Sequence, residues 1–159
     1  MNMMKQSLLE TTPTWLSITF VLSAAALIVT GSGVVFGLVT ADDRVLVVRR
    51  PRGQLLGGLW ALPGGERSGR SEKADLKGSI RFQTGVEVRV GPRWARVDRT
   101  FSHRKWSGSI YRCSPIRRPQ ETDSVRWIPR EEVMRLPLVP FHRDAIKALA
   151  GIESFESTR

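Results

Sequence analysis

Leu55-Leu56-Gly57-Gly58-Leu59-Trp60-Ala61-Leu62-Pro63-Gly64-Gly65 interleaves glycines with large apolar residues, and its reading decides the fold. The glycines let the backbone turn tightly, while Trp60 anchors the turn in a core. Upstream, Val34 to Val39 and Val45 to Val48 read as two buried strands joined by the turn Ala41-Asp42-Asp43. A basic loop, Arg49-Arg50-Pro51-Arg52-Gly53, links the second strand to the glycine turn. Downstream, Ser71 to Thr84 reads as a helix. Ser71 is placed to cap it, Leu76 and Ile80 lie four apart on one face, and Gly85 stops it.

Further along, strands are expected at Val86 to Val90, Ala95 to Phe101, Ile110 to Cys113 and Ser124 to Ile128. Pro129 opens a short helix with Glu131 and Glu132 in its first turn, where the helix dipole favours acids. A last helix is expected from Phe141 to Ala150, with Ala145, Ile146 and Leu149 facing inward. The domain starts near Gly33 and spans residues 33–150, and a polar tail, residues 151–159, follows. Neither repeats nor low-complexity tracts interrupt it.

With 159 residues the chain suffices for one domain with a real core, and is short for two. Its 41% hydrophobic and 25% charged content is that of a folded globular protein. The charge balance departs from the ordinary. Twenty-five Lys plus Arg stand against fifteen Asp plus Glu, a net charge of +10, and most of the positive charge is arginine. Such a surplus attracts polyanions, nucleic acid first and anionic lipid headgroups second. The plainer alternative is a solubilising surface, against which stands the bidentate fit of guanidinium to phosphate. The one cysteine, Cys113, lies in an apolar, strand-like run and reads as a buried small hydrophobe. It excludes an internal disulfide and any four-cysteine zinc or iron–sulfur site within this chain.

No charge occurs between Glu10 and Asp42, and residues 15–31 are largely apolar. A spanning helix needs about 20 apolar residues. Three readings fit residues 1–32. One is a single membrane anchor, with Arg44, Arg49, Arg50 and Arg52 keeping the C-terminal domain on the cytoplasmic side. Another is a signal peptide cleaved near Ser23-Ala24-Ala25-Ala26. The third is a fragment boundary or misplaced start.

The run Val45-Leu46-Val47-Val48-Arg49-Arg50-Pro51, followed by the glycine turn, resembles the opening of a Nudix domain. A leucine pair followed by Gly-x-Leu-Trp and a proline is closest to the C-terminal domain of MutY-type adenine DNA glycosylases. Thr100-Phe101-Ser102-His103, followed by basic residues, resembles the loop with which that branch reads 8-oxoguanine. Leu136-Pro137-Leu138-Val139-Pro140-Phe141-His142-Arg143 before the last helix is similar to the branch's ending. The resemblance implies a Nudix fold of the α/β (α+β) class, a mixed β-sheet packed between helices, preceded here by the hydrophobic N-terminal segment.

A hydrolytic Nudix box carries a glutamate after the turn glycine, then an Arg-Glu pair, then a Glu-Glu pair before a closing glycine. These carboxylates hold Mg²⁺ against a diphosphate, because the ion takes hard oxygen ligands. With Gly85 as the closing glycine and one deletion after Gly65, those positions hold Arg70, Gly78-Ser79 and Phe82-Gln83. Every acid is lost. Glu66, Glu72 and Asp75 are spread over the loop and the first helical turns. The expectation is therefore a non-catalytic domain with no metal, no cofactor and no catalytic residue.

In the resembling branch, catalysis belongs to a separate helical glycosylase domain with an iron–sulfur cluster, for which this chain has neither room nor cysteines. The implied ligand is DNA containing 8-oxoguanine, or an oxidised purine nucleotide. Phe101 would wedge against a base step, Ser102 would meet the altered purine edge, and His103 would touch phosphate or orient the loop. Arg49, Arg50, Arg52, Arg104 and Lys105 would neutralise phosphates. Each also has an ordinary reading, Phe101 as core and Ser102 and His103 as turn residues. Trp94, Trp106 and Trp127 read as core rather than base platforms. The alternative function is a Nudix hydrolase cleaving nucleoside diphosphate derivatives with a non-standard metal site. A membrane-tethered binding module and a remnant of a longer glycosylase are further alternatives.

Overall fold

The chain divides into Met1–Ser32 and Gly33–Arg159, and a computed structural model describes residues 33–69, 71–101, 104–118 and 120–156. The sequence's alternatives for residues 1–32 lie outside the described residues. Among the described residues no helix is long and apolar enough to cross a membrane.

Strand β1 (Val34–Ala41) and β2 (Arg44–Arg49) pair antiparallel, with Ala41 opposite Arg44. Asp42 and Asp43 between them have φ of 49° and 58°. Two left-handed residues match the twist of flanking strands, and aspartate tolerates the conformation better than most residues. β3 (Trp60–Ala61) and β7 (Val125–Pro129) both pair antiparallel with β2. β4 (Gly64–Glu66) lies antiparallel to β1, and β6 (Arg104–Pro115) lies parallel to it. β5 (Val88–Phe101) completes the sheet against β6. The order is β3-β2-β1-β6-β5, with β4 on β1 and β7 on β2, a mixed sheet.

Helix α1 (Glu72–Thr84) packs on one face. Its Leu76 and Ile80 join Val35, Val39, Leu46, Tyr111, Cys113 and Trp127 in one core. The short α2 (Arg130–Val133) and the long α3 (Pro140–Glu156) cover the other face. There Val133, Ala145 and Ile146 meet Val34, Phe36, Leu38, Val45 and Val47. Successive strand residues point to opposite faces, so β1 feeds both cores alternately. Gly37 takes its turn on the α1 face without a side chain, for a steric reason. A Cβ there would stand 2.7 Å from Ile80 Cδ1 and 3.3 Å from Cys113 Sγ, so the missing side chain lets α1 settle on the sheet.

The structure departs from the sequence expectations in several places. The two strands expected around Gly91-Pro92 are one 14-residue strand, whose register shifts between Val90 and Arg93 and again between Arg93 and Ala95. Bulges absorb the proline, which cannot donate to a ladder. Ser71 stands at the helix start with extended backbone but makes no side-chain capping bond; Glu72 and Asp75 in the first turn meet the dipole instead. Helix α3 runs on through Gly151 to Glu156, into the expected tail. Trp127 is buried and Trp94 and Trp106 pack half-buried against the core. Burial pushes the Cys113 thiol up to about 12, so it is inert at neutral pH.

Candidate functional site

At the end of β2 the chain enters the loop that the glycine turn closes. The Arg50 N–H donates to the Leu59 carbonyl (2.9 Å), and its own carbonyl accepts from the Gly58 N–H (2.9 Å). The intervening residues are thereby held as a closed excursion. Arg49 Nε donates to the Gly58 carbonyl (3.3 Å), and its guanidinium lies 6.0 Å from the Trp60 ring centroid. Arg50 Nε donates to the Leu55 carbonyl (3.1 Å). Both guanidinia are held through Nε.

Arg49, Arg50 and Arg52 line one cleft of about 660 Å³ together with Leu62, Phe82 and Gln83. No Asp or Glu lines it. Arg50 is half-buried, and desolvation holds its pKa below the usual arginine value. Three like charges line the cleft, with no acid among the described lining residues. Such a cleft attracts anions.

Under the cleft lies a residue whose role the sequence reading missed. His142 is fully buried, and its Nδ1 accepts a hydrogen bond from the Leu62 N–H (2.8 Å) across 80 positions of chain. Its ring meets Phe36 and Phe141 edge-on, at centroid distances of 4.3 and 4.2 Å. Burial first, and the nearby Arg50 charge second, push its pKa down to about 3. It is a neutral post beneath Leu62. The Phe141-His142-Arg143 run in the first turn of α3 was the available signal, although nothing in it points to Leu62.

The face of α1 that a metal-dependent enzyme of this fold would load with acids is neutral here. A Cβ on Gly65 would lie 3.4 Å from Ser79 Oγ, so Ser79 sits over the glycine turn. Gln83 grips Gly64 twice: its Oε1 accepts from the Gly64 N–H (3.0 Å) and its Nε2 donates to the Gly64 carbonyl (2.6 Å). Gly64 itself has φ 149°, and a Cβ there would fall 2.2 Å from the Val35 carbonyl oxygen. Only glycine fits. Phe82, one residue along the helix, is 92% exposed. Arg70 lies outside the described residues.

The acids nearby are mostly engaged. Glu72 accepts from the Tyr111 hydroxyl and pairs with Arg67 at 3.1 Å. The tyrosine bond chiefly, with Arg67 adding attraction, holds its carboxyl below the ordinary range against its own desolvation. Asp75 accepts from the Ser68 N–H (2.9 Å) and hydroxyl (2.5 Å). Burial raises the Glu66 carboxyl. Among the described residues no group of three His, Cys, Asp or Glu converges as a metal site. The described residues do not fit the divalent-ion site that the resemblance associates with cleavage.

Of the residues expected to contact a ligand, the structure brings Arg49, Arg50 and Arg52 together. Phe101 and Arg104 pair where β5 ends and β6 begins, and Lys105 stands exposed opposite Thr100, away from the cleft's lining. Ser102 and His103, and the side chains of Phe101 and Arg104, lie outside the described residues. Phe82 and Gln83 were read only as lost acids. An apolar residue standing off the Leu76/Ile80 stripe was the available clue to Phe82.

A family model described as NUDIX domain matches residues 34–148. The MutT NUDIX hydrolase from Burkholderia pseudomallei superposes with a TM-score of 0.65 at 20% identity, covering 74% of this chain and 96% of that one. The MutT protein from Methanosarcina mazei Go1 gives 0.66 at 18%, covering 77% and 94%. A UDP-X diphosphatase gives 0.61 at 19%, covering 90% and 71%. At these identities the likeness is one of fold. No curated protein matches the chain.

Proposed function

The chain belongs to the NUDIX domain family, and from that premise we propose that its arginine-lined cleft binds the diphosphate of a nucleoside diphosphate derivative. One observation carries this reading: Arg49, Arg50 and Arg52 line a single cleft that no carboxylate shares. Guanidinium groups fit phosphate oxygens bidentately, and a half-desolvated Arg50 does so in a lower dielectric than bulk water. The proteins of like fold support the choice of ligand, being named as hydrolases and a diphosphatase acting on UDP-X. They favour a small nucleotide over the 8-oxoguanine-containing DNA that the MutY-type resemblance implies.

Those same names favour a second reading, in which the domain also cleaves what it binds. Glu66 is the acid such a reading would call on: it does not line the cleft, but it lies two residues from Gly64, which does, and burial raises its half-buried carboxyl.

Calorimetric titration with ADP in EDTA tests the binding. Arg52→Ala and Arg50→Ala are each expected to weaken it by about tenfold or more, the loss of a charge-assisted hydrogen bond. Tighter binding of an 8-oxoguanine duplex than of ADP, indifferent to both substitutions, would return the function to DNA. Magnesium-dependent phosphate or nucleotide release, abolished by Glu66→Gln, would add cleavage to binding.

A further inference from the structure

Phe82 is the side chain that the packing of this domain does not account for. It is 92% exposed, the most exposed large apolar side chain among the described residues. Helix α1 buries Leu76 and Ile80, and Phe82 stands off that stripe, so a polar residue there would serve the fold as well. A single exposed apolar side chain is unremarkable on a surface. This one lines the same cleft as Arg49, Arg50 and Arg52. Its neighbour Gln83 ties the last turn of α1 to Gly64 through two hydrogen bonds, so the ring projects from a fixed backbone.

An aromatic face beside three guanidinium groups is complementary to a molecule with a flat ring at one end and phosphates at the other. We infer that Phe82 is the platform on which the base of the bound nucleotide stacks, while the arginines take its diphosphate. This inference rests on the cleft's proposed function and names the part of it that recognises the base. Every base has a π-face, so stacking on one ring gives affinity with little choice among bases, and purines, with the larger face, gain most.

The test separates base from phosphate. Full-length protein in EDTA is titrated with ADP and with inorganic pyrophosphate, for the native chain, Phe82→Ala, Phe82→Trp and Arg52→Ala. The native chain should prefer ADP by about tenfold or more, the usual contribution of one stacked base. Phe82→Ala should reduce that preference to within about twofold while leaving pyrophosphate affinity unchanged, and Phe82→Trp should keep it. Arg52→Ala should weaken both ligands alike. An unchanged ADP preference in Phe82→Ala overturns the stacking role and leaves the arginine cleft standing. Binding of neither ligand, or binding of both indifferent to Arg52→Ala, overturns the cleft reading and the stacking role together. A native dimer that Phe82→Ala converts to monomer, with the ADP preference intact, would assign the ring to a contact between copies instead.

Discussion

His142 supports the cleft through one nitrogen. Its Nδ1 accepts the Leu62 N–H, so the imidazole is neutral with its proton on Nε2, and that buried N–H finds no partner among the described residues. Its folded pKa of about 3 lies below the ordinary value of 6.5. Below about pH 6.5 the unfolded chain therefore takes up a proton that the folded chain refuses. The stability held by the neutral ring is complete above that pH and is lost as pH falls toward 3, by roughly 1.4 kcal/mol per unit. Urea unfolding between pH 8 and pH 4 is expected to show this slope. His142→Asn keeps an acceptor for Leu62 and removes the titration, so its stability should be lower at pH 8 yet fall less steeply with acid. Parallel slopes for the two proteins would mean that other groups carry the acid sensitivity.

Between elements, the join of α1 to β4 depends on an amide that donates and accepts at once. Gln83 meets both polar groups of Gly64, which glutamate cannot do while ionised. Gln83→Glu would restore an acid of the family's box and also set a carboxylate against the Gly64 carbonyl. The expected cost is about 1–3 kcal/mol at pH 7, from a lost donor and an unmatched acceptor. Part of that should return near pH 5, where the protonated acid donates again, measured as the difference from the native chain at each pH. A variant as stable as the native chain at pH 7 would show that the latch is incidental. Strands β1 and β2 and helix α1 were legible from the sequence because apolar runs and the Leu76/Ile80 spacing are local patterns, whereas the short β3 and β4 lie inside what reads as a glycine turn. The latch was not, because Gln83 and Gly64 meet only once the fold exists. The same holds for Glu72 with Tyr111 and for His142 with Leu62. β5 was misread for a different reason: Gly91-Pro92 is ordinary turn chemistry, and bulges let the strand pass through it.

Across the whole molecule, the charge legible from composition is divided among separate places, and that division bears on the ligand. One set of arginines lines the cleft beside Phe82. Another, Arg81, Arg117 and Arg118, lines a second hollow of about 450 Å³ that also holds Glu87. Composition alone gives +10 and cannot divide it between them. A nucleotide is short enough to occupy one site, whereas a polynucleotide backbone runs across a face and releases counterions from every phosphate it places. For duplex DNA, log K falls with log salt at a slope of about −0.9 per neutralised phosphate. The paired substitution Arg117→Ala with Arg118→Ala should therefore leave ADP affinity within about twofold at physiological salt, since neither residue lines the first cleft. Its effect on an oligonucleotide separates the two ligand classes. If a polynucleotide is what this surface holds, the double variant should weaken it severalfold and flatten its salt slope by about 2 units. An ADP affinity that falls as far with Arg117 and Arg118 replaced as with Arg52 replaced would mean that the first cleft does not act alone. The nucleotide reading would then have to give way to one that spans both hollows.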